Sequence, residues 1–214
     1  MKKKIKSYLV FTSVLYRLLL FVLVPLAIII VQALLRTEDL LLMTIINAMI
    51  YPVVEVVLDY WVFGGIAVKG GTQLEYIKSS KRGVGVIGTA LGVDMARQFF
   101  TTILLFVANI VILMCQGGTF ELNAKQIAMN LLMVVFTYFL IVTELTIVRH
   151  LDSLQLNLII SCFAPLVLFG VMVLAMLNVY VMLAVLVALS MVSSILGVKL
   201  ILKRVKESYY DKTA

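Results

Sequence analysis

Residues 154–202 read LQLNLIISCFAPLVLFGVMVLAMLNVYVMLAVLVALSMVSSILGVKLIL, with no acidic side chain and a single basic one, Lys199. As one helix this run would be about 75 Å long at ~1.5 Å per residue. A bilayer's hydrocarbon core is ~30 Å thick and takes roughly 20 residues. The stretch is therefore two spans, with a hinge near Leu177-Asn178-Val179 and Pro165 bending the first of the pair.

Working outward, four more apolar runs of similar length precede it. They cover about residues 18–35, 40–63, 98–115 and 127–148. Hydrophobic residues make up 63% of the 214 and charged residues only 14%, too little charge to keep a domain of this size in solution. The expected fold is all-α: a polytopic membrane protein of six transmembrane helices over residues 18–203, followed by a tail, 204–214. Little chain is left for a soluble catalytic domain.

The net charge of +7 has a local cause, because basic residues gather beside the spans. With the N-terminus inside, all of the 18 lysines and arginines except Arg36 and Lys125 fall in inner segments. That bias predicts both termini in the cytoplasm and a place in the cell membrane, with no role in binding nucleic acid. Residues 1–17 combine Lys2, Lys3, Lys4, Lys6 and Arg17 with Leu9, Phe11 and Leu15, the pattern of an amphipathic helix lying in the lipid interface. No small-residue cleavage site follows, so the first span is expected to be retained. Thr37 or Asp39 is placed to cap the second span. The longest polar connection runs from 64 to 97.

Motifs for soluble chemistry fail on context. Gly83-Val84-Gly85-Val86-Ile87-Gly88 matches a dinucleotide fingerprint, but no βαβ unit surrounds it. Gly88 and Gly92 stand at the spacing that lets helices approach closely. Ser190, Ser193, Ser194 and Gly197 form overlapping small-residue pairs on the last span, a tight helix contact within the chain or between subunits. Cys115 and Cys162 form no metal motif, the methionines form no array, and His150 is the only histidine. No catalytic residue, metal site or bound cofactor is expected.

Polar residues inside the spans carry more information, since lipid disfavours them. Glu55 and Asp59, four apart, share one helix face. They admit two readings: a proton or cation path, or an ion pair with Arg17, Lys69 or Arg97. Asp94 with Arg97, and Glu144 with Arg149, read as local pairs near inner span ends. Asn47, Asn109 and Asn130 read as hydrogen-bonding ties between helices.

This layout resembles the transmembrane subunit of an ABC-2-type ABC exporter: an interfacial N-terminal helix, six spans with both ends inside, and a coupling helix between spans two and three. Here residues 2–17 correspond to the first feature and residues 72–82 to the third. The resemblance implies a permease that exports a peptide, an antimicrobial, a lipid-linked molecule or a drug. Leu74, Glu75, Tyr76, Lys78, Lys81 and Arg82 would contact a separate P-loop ATPase subunit carrying the ATP and Mg. Its other partners would be membrane lipid and a second permease subunit, in a homo- or heterodimer. Three alternatives stand beside it: a vitamin-binding S-component, although the AxxxA motif expected on the first span is missing; a proton-coupled carrier; and a non-transporting immunity or assembly protein.

Overall fold

The computed structural model describes residues 8–9, 12–63, 83–116, 124–148 and 179–206, and all of its regular structure there is helical. Among the described residues, five helices are long and apolar enough to cross a membrane. They are α1 (Val14–Leu35), α2 (Leu40–Phe63), α3 (Gly83–Cys115), α4 (Ala124–Val148) and α5 (Val179–Lys206). The expected fifth span and the coupling segment 72–82, with Leu74, Glu75, Tyr76, Lys78, Lys81 and Arg82, lie outside the described residues, as does Arg149.

Helix α1 starts at Val14, four residues before the expected first span, so Arg17 belongs to the span rather than to the interfacial segment. Ser13 sets this boundary: its backbone is extended and its hydroxyl accepts the Tyr16 N–H at 3.1 Å. Within α1, residues Leu19–Leu23 widen into a π turn, in which the Val24 N–H reaches the Leu19 carbonyl. Pro25 supplies the reason. It has no N–H to offer the Phe21 carbonyl, and its ring would crowd that group in a regular turn. At the far end Arg36 takes the left-handed conformation (φ 47°) that ends helices. Asp39, rather than Thr37, caps α2 by accepting the Leu41 N–H at 2.8 Å.

The larger difference is α3. Its 33 residues span about 50 Å, so it overruns the ~30 Å hydrocarbon core. Residues 83–97, expected in the polar connection, are the first turns of this helix. The glycines at 83, 85, 88 and 92 do not break it. An added Cβ at Gly88 would meet only Leu202, at 3.5 Å, and one at Gly92 would meet nothing.

Side-chain contacts fix the helix directions. Tyr51 of α2 lies beside Thr102 and Leu105 of α3, and Glu55 meets Arg97, so α2 and α3 are antiparallel. Thr44 bonds Asn130, and Tyr51 and Val56 share a core with Ile141 and Leu145, so α2 and α4 are parallel. Phe136 and Leu140 of α4 share a core with Leu186 and Val187 of α5, Thr143 meets Ser190 and Thr146 meets Gly197, so these two are parallel as well. Helix α4 packs chiefly on α2 and α5. One apolar core joins Ile28, Tyr51, Val56, Leu105, Ile141 and Leu145. A second joins Ala48, Met133, Phe136, Leu140, Leu186 and Val187.

The small residues of α5 are used within the chain. Ser194 donates to the Phe139 carbonyl at 2.9 Å, and the Thr143 hydroxyl lies 3.0 Å from both Ser193 and Ser194. Gly197 lets Thr146 so close that an added Cβ would sit 2.8 Å from the Thr146 Cβ. Gly197→Val is therefore expected to destabilise the protein by about 1–3 kcal/mol through overpacking, read as a lowered unfolding temperature in detergent. An unchanged temperature would mean that the α4–α5 contact is looser than described.

Candidate functional site

The polar centre of the bundle is built on Arg97. Counted back from Cys115, Arg97 is 18 residues along α3, or about 27 Å, close to one hydrocarbon thickness. With Cys115 placed at one face of the hydrocarbon core, Arg97 would fall near the other. Its side chain is nonetheless buried, and its charge is met by carboxylates on two helices.

Glu55 faces it from α2. Arg97 Nη1 and Nη2 donate to Glu55 Oε1 and Oε2 at 2.7 and 2.6 Å, a two-pronged geometry that only arginine provides. Asp94, one turn earlier on α3, accepts from Arg97 Nε at 3.0 Å and Nη2 at 2.9 Å through the same oxygen. Its other oxygen accepts from Gln98 Nε2 at 2.9 Å. The Phe21 ring of α1 lies 5.9 Å from the guanidinium carbon, within cation–π range. Of the three partners that the sequence offers Glu55, the structure selects Arg97.

The network reaches the N-terminal segment. Tyr8, almost fully buried, donates its hydroxyl to Asp94 at 3.4 Å. Burial, and then the neighbouring Asp94 carboxylate, hold the Tyr8 phenol well above its usual range, so it stays a donor. Asp59 is fully buried one turn below Glu55, within electrostatic reach of Tyr16. Among the described residues, Glu55, Asp94 and Asp59 thus gather with Arg97 where α1, α2 and α3 come together. Tyr8 and Gln98 were not apparent as members from sequence. The only signal was the Asp94, Arg97, Gln98 spacing, which puts three polar side chains on one face of an apolar helix.

Elsewhere polar side chains tie helices together. Gln32 of α1 donates to Asn47 at 2.9 Å and to the Met43 carbonyl at 3.1 Å. Asn130 accepts from Thr44 at 3.2 Å. Asn109 is buried too, and its amide nitrogen has no partner among the described residues. Glu144 differs from the other acids. It is fully buried on α4, and neither carboxyl oxygen has a hydrogen-bond partner among the described residues.

No group of three or more metal-ligating side chains occurs among the described residues. What Arg97 does is bind α2 to α3. Arg97→Leu strands Glu55 in a dry site and is expected to cost about 3–5 kcal/mol. Arg97→Lys, keeping the charge but losing the fork, should recover only part of that. Unfolding of both variants in detergent is the measurement; equal stability of Arg97→Leu and the parent would contradict the pairing.

Comparison with known proteins gives no match: no family model, no curated protein and no solved structure is similar to this chain.

Proposed function

We propose that the chain is the transmembrane permease subunit of an ABC exporter, driven by ATP hydrolysis on a separate P-loop ATPase subunit. The observation that carries this reading is α3. It is one unbroken helix that begins at Gly83, directly after the segment 72–82, and its Arg97 grips Glu55 of α2. A push on that segment from outside the membrane would move α2 and α3 together as a lever, because the ion pair joins them at the fulcrum. Tyr8 ties the N-terminal interfacial segment to the same point.

The helix directions favour six spans. Helices α2, α4 and α5 run one way and α1 and α3 the other. On the six-span reading, residues 149–178 would bring the chain back across the bilayer between the parallel helices α4 and α5. At ~1.5 Å per residue that length suffices for a crossing. An even number of spans puts both termini on one side, and the basic bias assigns that side to the cytoplasm. Two such subunits would enclose the path of a peptide, antimicrobial, lipid-linked or drug-like cargo in the cell membrane.

A proton-coupled carrier is the second reading, and Glu144 is the observation that favours it. The Glu55 carboxylate is held by Arg97, whereas the Glu144 carboxyl has no such partner among the described residues. Buried acids of this kind serve proton relays in other transporters.

The tagged chain, purified gently from its own host, is expected to bring a stoichiometric P-loop ATPase with it. Replacing residues 74–82 by a Gly/Ser linker should release the ATPase while the chain still inserts in the membrane. Recovery of the parent chain alone, with transport that follows a proton gradient and is lost in Glu144→Gln, would replace the permease reading by the carrier.

A further inference from the structure

Between α2, α3 and α4 lies a second polar place, smaller than the Arg97 network and separate from it. It is a cavity of about 10 Å³, walled in part by Thr44, Asn47 and Tyr51 of α2, Thr102 of α3 and Thr137 of α4. All five of these side chains are buried. Apolar packing alone would have no use for so many polar groups around one small space.

Their hydrogen-bonding capacity is only half used. The Thr102 hydroxyl gives its proton to the Gln98 carbonyl at 2.8 Å, and the Thr137 hydroxyl gives its proton to the Met133 carbonyl at 2.7 Å. Each bond stays within its own helix. A hydroxyl oxygen also carries two lone pairs, so α3 and α4 each keep an acceptor here. Asn47 is the complement. Gln32 donates to its side-chain oxygen at 2.9 Å, which leaves the Asn47 amide N–H₂ as a donor from α2.

Size and charge narrow the occupant to one molecule. Among the described residues no acidic or basic side chain lines the cavity, so an ion would lie there without a counter-charge. A single water needs roughly 10–15 Å³ of such space and two to four polar partners. We propose that one water is bound here, accepting from Asn47 and donating to Thr102 and Thr137. It would give α2, α3 and α4 a shared hydrogen-bonding centre. Tyr51, in its wall, is one turn before Glu55 on α2, so the water lies between the Gln32–Asn47 tie and the Arg97–Glu55 pair. Arg97 fixes α3 to α2 directly, whereas the water bonds α3 to α4 through a molecule that can change partners. The site requires neither transport reading.

The test uses the full chain in bilayers of perdeuterated lipid, with protonated methyl groups on threonine and valine only. Solid-state NMR is expected to show magnetisation passing from water to the Thr102 and Thr137 methyls. Val107, exposed on the outer face of α3, should receive none. Thr102→Val and Thr137→Val keep the shape and remove an acceptor, so each should lower the unfolding temperature by about 2–4 °C. A dry cavity predicts the opposite sign, because losing a hydroxyl bond to its own helix is neutral or slightly stabilising in apolar surroundings. Absence of transfer to Thr102 and Thr137 in the parent chain would overturn the proposal. So would valine variants as stable as the parent or more so.

Discussion

A charged guanidinium held out of water at the edge of a membrane is the constraint on which the rest depends. Left alone, Arg97 would be prohibitive to bury, so the fold supplies a carboxylate from α2 in fork geometry and a second from its own helix. That requirement fixes the register of α2 against α3 to one residue. It also fixes the position of Tyr8 through Asp94 and places the Phe21 ring over the charge. Apolar packing between lipid-facing helices is weakly directional, since lipid tails compete for the same contacts. A bidentate ion pair is not, and it selects one arrangement among many of similar apolar contact.

The remaining helices are held by smaller, more numerous contacts. Gln32 and Asn47 close α1 on α2 near the Arg36 turn, and Thr44 with Asn130 joins α2 to α4. Such bonds between membrane helices are worth roughly 1 kcal/mol each. Helix α5 relies instead on backbone proximity, where Ser194 reaches the Phe139 carbonyl and Gly197 leaves room for Thr146. Helices α2 and α3 are tied by charge at the bilayer boundary, while α4 and α5 are tied by small residues along their length. Helix α4 packs as extensively on α2 as on α5, so it joins the two kinds of tie. Motion of α3 against α4 and α5 would open or close the space lined by Leu91, Leu145 and Ile201.

Much of this is legible in the sequence, for reasons that differ by residue. Five of the expected apolar runs became helices, because lipid leaves the backbone no alternative to internal hydrogen bonds. Glu55 announced itself as a buried acid, and Arg97 was among its three possible partners. The start of α3 was misplaced because residues 83–97, which include Asp94 and Arg97, were assigned to the polar connection, although Gly88 and Gly92 stand at helix-packing spacing. In a bilayer glycine is a common helix residue. The serines and Gly197 of α5 signalled close approach, but spacing alone cannot say to which helix. Ser13 as a boundary and Gln32 as a tie were not apparent, since each gains its role only from a partner brought near by folding. Glu144 was read as a partner of Arg149; its two carboxyl oxygens find no hydrogen bond among the described residues.

On the permease proposal, α2 and α3 would move as one body, coupled through Arg97 and Glu55, when a partner ATPase cycles. Distances between spin labels at Val57 on α2, Ala96 on α3 and Lys199 on α5 test it in the assembled complex, with and without trapped ATP. The account predicts a Val57–Ala96 distance that stays constant and an Ala96–Lys199 distance that changes. A change between Val57 and Ala96 that matches or exceeds the change across to Lys199 would contradict it.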